Sequence, residues 1–155
     1  MTDDRLRLLV AKDEIADAVT RLFIATDARD WPAVEQCLAP AVRLDMTSLT
    51  GGVPGLLAPG AITAMWDEGF QVLRAVHHQI GNLRITVAGD RATGFCYGIA
   101  THYRPTPSGR NVRTFVGSYD LGLVRLDGVW RIDEFRFNLK YLDGNLDLEH
   151  DAIPA

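Results

Sequence analysis

Three stretches, RATGFCYGIATHY at 91–103, VRTFVGSYDLGLVRL at 112–126 and VWRIDEFRFNL at 129–139, decide the fold class. Each is rich in β-branched and aromatic residues with the period-two texture of a strand. They are separated by Pro105-Thr106-Pro107-Ser108-Gly109 and by Asp127-Gly128, and an Asp-Gly pair between two such runs predicts a hairpin. A fourth run, His77 to Val87, stops at Gly89-Asp90 just before them. The C-terminal half therefore reads as an antiparallel meander.

Upstream the period changes. Leu8, Leu9, Ala11, Ile15, Ala18, Val19, Leu22 and Phe23 recur at three- and four-residue steps, which predicts an amphipathic helix over Leu6–Ile24. Asp30 before Trp31-Pro32 reads as an N-cap with proline in the first turn of a short helix that Ala39-Pro40 ends. Val42 to Met46 alternates like a half-buried strand, Gly51 to Gly60 reads as a loop over a pocket mouth, and Ala61 to Val76 returns to helical spacing through Ile62, Met65, Trp66, Phe70 and Leu73. Helices first and strands after argue for an α+β domain with helices packed on one face of a curved sheet.

Composition narrows the function classes. At 155 residues and 47% hydrophobic the chain suits one domain with a continuous core. A net charge of −4 and the lack of any basic stripe argue against a nucleic-acid partner. No apolar run approaches a bilayer span and Met1 to Arg7 is charged, so no membrane partner and a cytoplasmic location are expected. Cys37 and Cys96 lie far apart without metal-ligand spacing and read as small core residues. His77-His78 with Asp27 is not a metal-site spacing, His150 sits in a polar tail, and no nucleotide or nucleophile-elbow motif occurs, so neither metal nor cofactor is expected.

Local strings sharpen this picture. Ala25-Thr26-Asp27-Ala28-Arg29-Asp30-Trp31, His78-Gln79-Ile80-Gly81-Asn82-Leu83, Asp127-Gly128-Val129-Trp130-Arg131-Ile132 and Cys37-Leu38-Ala39-Pro40-Ala41-Val42-Arg43-Leu44-Asp45 stand in the order found in the SnoaL-like branch of the NTF2-like, cystatin-like superfamily. The chain resembles in particular its scytalone dehydratases and hexachlorocyclohexane dehydrochlorinases. The resemblance spans roughly residues 5–140 and implies a cone of N-terminal helices on a curved, mainly antiparallel sheet enclosing a pocket, with a domain over 1–142 and a polar, loosely held tail over 143–155. It also implies a catalytic pair, Asp27 orienting His78, with His102 matching a second histidine of the dehydratases. The tyrosines that line the pocket of scytalone dehydratases are replaced by Thr26 and Met46.

The residue types suit acid/base chemistry. An imidazole held at one ring nitrogen by a carboxylate can accept a proton at the other. A carboxylate near a helix C-terminus opposes the helix dipole, so Asp27 is better explained by a cationic partner than by helix stability. The competing structural reading has Asp27 paired with Arg29 and His78 a satisfied core histidine. His77 is the rival base, because strict alternation aligns it with Leu83, Ile85 and Val87, whereas His78 joins them only across a bulge, for which Gly81 is a suitable position. His102 ends a face of small residues, Gly94, Cys96, Gly98 and Ala100, that leaves room either for a ligand or for a packed helix. If it faces a cavity it can protonate a departing hydroxyl or polarise a carbonyl. Met46, Trp66, Phe70 and Tyr119 are the expected substrate-binding wall.

These residues point to a cofactor-independent, dehydratase-like lyase acting on a small apolar, cyclic or polyketide-like molecule. Two alternatives stay open at this stage. One is an isomerase or cyclase of the ketosteroid isomerase or polyketide cyclase type, which begins with the same deprotonation. The other is a non-catalytic binding or assembly module such as a ring-hydroxylating dioxygenase small subunit. A homodimer through the outer sheet face is also expected, on the strength of Phe115, Tyr119, Leu121 and Leu123.

Overall fold

A computed structural model describes residues 2–151. The elements run α1 (Asp3–Ala28), α2 (Trp31–Cys37), β1 (Leu38–Asp45), α3 (Thr47–Thr50), β2 (Gly55–Leu57), α4 (Pro59–Phe70), β3 (Ala75–Ala88), β4 (Arg91–Tyr103), β5 (Val112–Leu126) and β6 (Val129–Gly144). All six strands form one sheet in the order β2-β1-β6-β5-β4-β3, antiparallel throughout except for the parallel β1–β6 pair. The helices cover one face of this curved sheet, the architecture of the NTF2-like cone.

Local chemistry sets the boundaries. Asp3 and Asp4 open α1 where the dipole favours anions. The helix ends because Arg29 adopts the left-handed conformation (φ 56°), with its N–H on Thr26 O and that of Asp30 on Ala25 O. Asp30 then caps α2 by accepting from the Ala33 N–H at 3.2 Å, next to the proline in its first turn. The stripe Ala11, Ile15, Ala18, Val19, Leu22 and Phe23 is buried against a core built around Leu121, Leu123, Ile132 and Phe135.

Several boundaries differ from the sequence reading, each for an identifiable reason. Pro40 lies inside β1 rather than ending a helix, because the β1–β6 register shifts between Leu38 and Arg43 and requires no ladder donor there. The segment 51–60 contains the short edge strand β2, paired with Val42–Leu44. The helix expected to reach Val76 stops at Phe70, and Arg74 N–H already bonds Tyr103 O at the start of sheet pairing. Strand β6 runs on to Gly144, past the expected domain limit at 142.

The tail reading is corrected as well. Residues 145–151 are tied down: Leu148 is fully buried beside Leu73 and Val76, Arg104 donates to Leu148 O and Glu149 O, and Asn145 donates to Arg110 O. The remaining four tail residues lie outside the described ones. Phe115, Tyr119, Leu121 and Leu123 are likewise inner-face core residues, at most 7% exposed, and supply no outer surface. The apolar residues exposed on the outer face of β4–β6 include Tyr97, Ile99, Tyr103, Val112 and Tyr141. Both cysteines are free and buried.

The small-residue face of β4 divides its work. Ala100 lines a cavity, whereas Gly98 makes room for an aromatic ring: a Cβ there would stand 2.2 Å from Cε2 of Tyr119. Overpacking of this kind costs about 1–3 kcal/mol. Gly98→Ala should therefore lower the melting temperature by several degrees, while the same change at Gly69, where an added Cβ meets nothing within 4 Å, should leave it within a degree or two or raise it. Thermal unfolding of the two variants provides the check.

Candidate functional site

Helices and sheet enclose a cavity of about 640 Å³. Its walls are mostly apolar: Leu22 and Phe23 from α1, Leu44 from β1, Trp66 and Phe70 from α4, Phe115 from β5, and Phe135 and Phe137 from β6. Met46, Leu49, Val53 and Leu57 line it from the segment between β1 and α4. Ser48 anchors that segment to β6 by donating to Phe137 O at 2.6 Å and accepting from Leu139 N–H at 2.9 Å. Helix α4 is held over the cavity by two side-chain bonds to α2, Trp31 Nε1–H to Asp67 at 2.8 Å and Thr63 to Glu35 at 2.8 Å.

The polar groups gather on the sheet side. In β3 a register shift between Gly81 and Arg84, with Asn82 in the left-handed region (φ 56°), sets two residues of β3 against one of β4. The extra residue lets Val76, His78 and Ile80 face inward on one side of the bulge and Leu83, Ile85 and Val87 on the other. His78 thereby enters the cavity wall with its side chain 13% exposed, while His77 points outward at 69%. The bulge is what turns His78 rather than His77 toward the cavity.

Asp27 grips His78 twice. One carboxylate oxygen lies 2.6 Å from the ring Nδ1, and the other accepts the His78 backbone N–H at 2.8 Å. Arg29, the competing partner, instead donates to Leu73 O at 2.6 Å. A carboxylate cannot donate, so Nδ1 carries the proton, and Nε2 has no protein partner among the described residues. Phe23 packs against the ring at 5.5 Å.

His102 lines the same cavity, edge-on to Phe70 at 5.5 Å and against Phe115 at 4.7 Å. Burial first, then the charge of Arg113 and the proximity of His78, pull its pKa down to about 4 against the smaller opposing pull of Glu149 and Asp27. Tyr119 is also in the wall, 4% exposed, and burial pushes its phenol well above the usual range, so it stays protonated. Met46, Trp66 and Phe70 line the cavity as well.

Sequence reasoning missed Arg113 and Glu149, which complete the polar end. Arg113 Nη1 donates to Glu149 Oε2 at 2.7 Å, its Nη2 contacts Glu149 Oε1, and its Nε is buried without a partner among the described residues. Period-two reading of β5 does place Arg113 on the face of Phe115 and Tyr119, and that is the signal available. Nothing in the sequence of the tail announces that Glu149 returns to it. Among the described residues no group of three or more His, Cys, Asp or Glu side chains is placed to hold a metal ion, and no helix is long and apolar enough to cross a membrane.

The SnoaL-like domain family model matches residues 7–136, from the first helix into the last strand. The chain belongs to the SnoaL-like domain family. Among solved structures it is similar to the Kfla4162 protein from Kribbella flavida at 25% identity, covering 89% of this chain and 95% of that one with a TM-score of 0.84. A candidate scytalone dehydratase from Novosphingobium aromaticivorans matches at 16% identity over 88% and 89% of the two chains, TM-score 0.76. Hexachlorocyclohexane dehydrochlorinase type 3 from Novosphingobium barchaimii matches at 16% over 97% and 99%, TM-score 0.77. At these identities the two enzymes establish a shared fold. A comparison with curated proteins gives no match.

The depressed pKa of His102 makes stability depend on pH. The unfolded chain takes up this proton near 6.5 and the folded one only near 4, so the unfolded state binds more protons in between. The neutral ring's contribution is complete above pH 6.5 and is lost as pH falls toward 4. The melting temperature should accordingly decline across that window, and His102→Gln should flatten the decline; equal slopes for both proteins would refute the assignment.

Proposed function

We propose that the chain is a cofactor-independent, dehydratase-like lyase for a small cyclic or polyketide-like molecule, with His78 as the base and Asp27 as its orienting partner. The observation that carries this reading is the 2.6 Å contact between Asp27 and His78 Nδ1 in the wall of the cavity. It leaves one basic nitrogen free, as general base catalysis requires.

The chemistry follows from the placement. Nε2 takes the proton from a carbon beside a carbonyl, and the C–H electron pair moves into an enolate. The imidazolium that forms is neutralised by Asp27 and can return its proton to a departing β-hydroxyl, giving water and a new carbon–carbon double bond. Of the two roles expected for His102, the neutral ring suits polarisation of the carbonyl better than protonation of a leaving group, since it has little cationic form near neutral pH. Tyr119, which keeps its proton, is a second neutral donor at the same wall. Met46, Trp66 and Phe70 supply apolar contact for a flat carbon skeleton.

An isomerase or cyclase shares the first step and differs only in where the proton goes, so product analysis decides between them. A non-catalytic module would want the interior filled, and the open volume beside His78 favours an enzyme. The exposed Tyr97, Ile99, Tyr103, Val112 and Tyr141 support self-association through the outer sheet face, which sedimentation at micromolar concentration tests.

The kinetic test uses cyclic ketones, phenols and hydroxylated polyketides as the substrate screen. With a turned-over compound in hand, His78→Ala should lose about 10²–10⁴-fold in kcat with a much smaller change in KM. Asp27→Asn should also be severely impaired, because an amide is able to hold the wrong tautomer and cannot neutralise imidazolium. The double variant should be little worse than His78→Ala alone. Parental turnover in both single variants, accompanied by earlier melting, would reduce the pair to scaffolding.

A further inference from the structure

We propose that Arg113, held by Glu149 of the C-terminal segment, is a positioning residue that fixes His102 as the tautomer with its proton on Nε2. The inference rests on the proposed function for its catalytic meaning, but its geometry stands independently.

A guanidinium has donors and no acceptor. Arg113 Nη2 lies 3.3 Å from His102 Nδ1, so a hydrogen bond between them forms only if Nδ1 offers its lone pair. The ring proton must then sit on Nε2. Arg113 and His102 are direct cross-strand partners on β5 and β4, with both side chains on the inner face, so the sheet register itself creates the contact. Protonating Nδ1 would turn a donor–acceptor pair into two donors facing each other beside a fixed positive charge. The contact therefore selects against both the other tautomer and the imidazolium.

Glu149 makes this arrangement possible. Arg113 is a half-sequestered cation, its side chain 15% exposed, and such a group needs an anion within reach. Glu149 meets it with both carboxylate oxygens. Glu149 is delivered by the anchored tail: Leu148 plugs the apolar patch of Leu73 and Val76, and Arg104 holds Leu148 O at 2.8 Å and Glu149 O at 2.5 Å. Burial alone would raise the Glu149 carboxyl, but the Arg113 hydrogen bond, its own backbone and the Arg113 charge together hold it below the usual value. The last described segment of the chain is thus part of the site, acting through two residues on a third.

The groups that face His102 are Arg113 from β5, His78 from β3, Asp27 from α1 and Glu149 from the tail, with Phe70 and Phe115 as apolar neighbours. They give the variants opposite signs. Loss of the Arg113 charge removes a cation and frees Nδ1, so the ring should titrate at higher pH and populate both tautomers. Loss of the Glu149 charge removes an anion, so the ring should titrate at still lower pH while Arg113 keeps Nδ1 unprotonated.

The experiment is nitrogen-15 NMR of the histidine rings in the free full-length protein, needing no substrate. In the parent, His102 should show one tautomer, Nε2 protonated and Nδ1 bare, from pH 5 to 8. Arg113→Met should give a tautomer mixture and an upward shift of the titration, Arg113→Lys should restore the single tautomer, and Glu149→Gln should shift the titration downward without mixing. An Nδ1-protonated or mixed ring in the parent, or an unchanged ring in Arg113→Met, would overturn the proposal. If Arg113→Met does not fold, Arg113→Lys and Glu149→Gln still decide it: a mixed tautomer in the lysine variant, or an upward shift in the glutamine variant, counts against it. None of these outcomes depends on whether His78 turns out to be a base, so failure here and failure of the proposed lyase chemistry are told apart.

Discussion

The pair of hydrogen bonds from His78 to Asp27 is the constraint on which the site depends, because it ties the end of the longest helix to an edge strand of the sheet. An anion in the last turn of α1 is unfavourable to that helix in isolation. What offsets it is a pair of donors from β3, one from the backbone and one from the ring, so the local cost to the helix is met by a tertiary contact. The backbone bond fixes where the strand passes, and the ring bond fixes how the imidazole is turned. Any movement of α1 along the sheet would break both at once, which places the geometry of the Asp27–His78 pair under the same packing forces that hold Leu22 and Phe23 in the core.

Most of the architecture was legible in the sequence. The α1 stripe, the Asp30 cap, and strands β4 and β5 with their turns follow from local periodicity and turn chemistry, and the Schellman-type end of α1 explains why the helix continues four residues past the expected Ile24. Strand β1 was harder, since Pro40 signals a break and is tolerated only because a register shift removes the need for its missing N–H. The β3 bulge was legible in part: Gly81 marked its neighbourhood, but the left-handed residue is Asn82 and the inward placement of His78 depends on pairing with β4.

The polar end of the cavity divides the same way. Asp27, His78 and His102 sit at positions the family strings mark, whereas Glu149 reaches Arg113 only through the docking of Leu148 and the two carbonyl contacts of Arg104. Those are long-range events with no period to read. A polar tail with one leucine looks dispensable in sequence, and it is the burial of that leucine that carries the following carboxylate into the site. The assignment of Phe115, Tyr119, Leu121 and Leu123 to an outer surface failed for a related reason: alternation says which residues share a face, not which face the helices cover.

On the proposed reading, the charges around the cavity have a functional consequence. The base step starts from an uncharged His78, so with Asp27 and Glu149 as anions, Arg113 as a cation and His102 neutral the local balance is then one negative charge. When His78 takes a proton it forms an ion pair with Asp27, and Arg113 is already matched by Glu149. A newly formed enolate then has two neutral donors in the wall, His102 Nε2–H and the Tyr119 hydroxyl, beside Phe70, Phe115 and Phe135, while Arg113 is engaged by Glu149. Neutral donors in an apolar setting stabilise a negative charge best when it is spread over several atoms, because a concentrated charge loses more hydration than two hydrogen bonds return. On this reading the site is matched to a conjugated or aromatic-forming carbanion rather than a localised one, and its selectivity arises as much from the pairing of Arg113 with Glu149 as from the base.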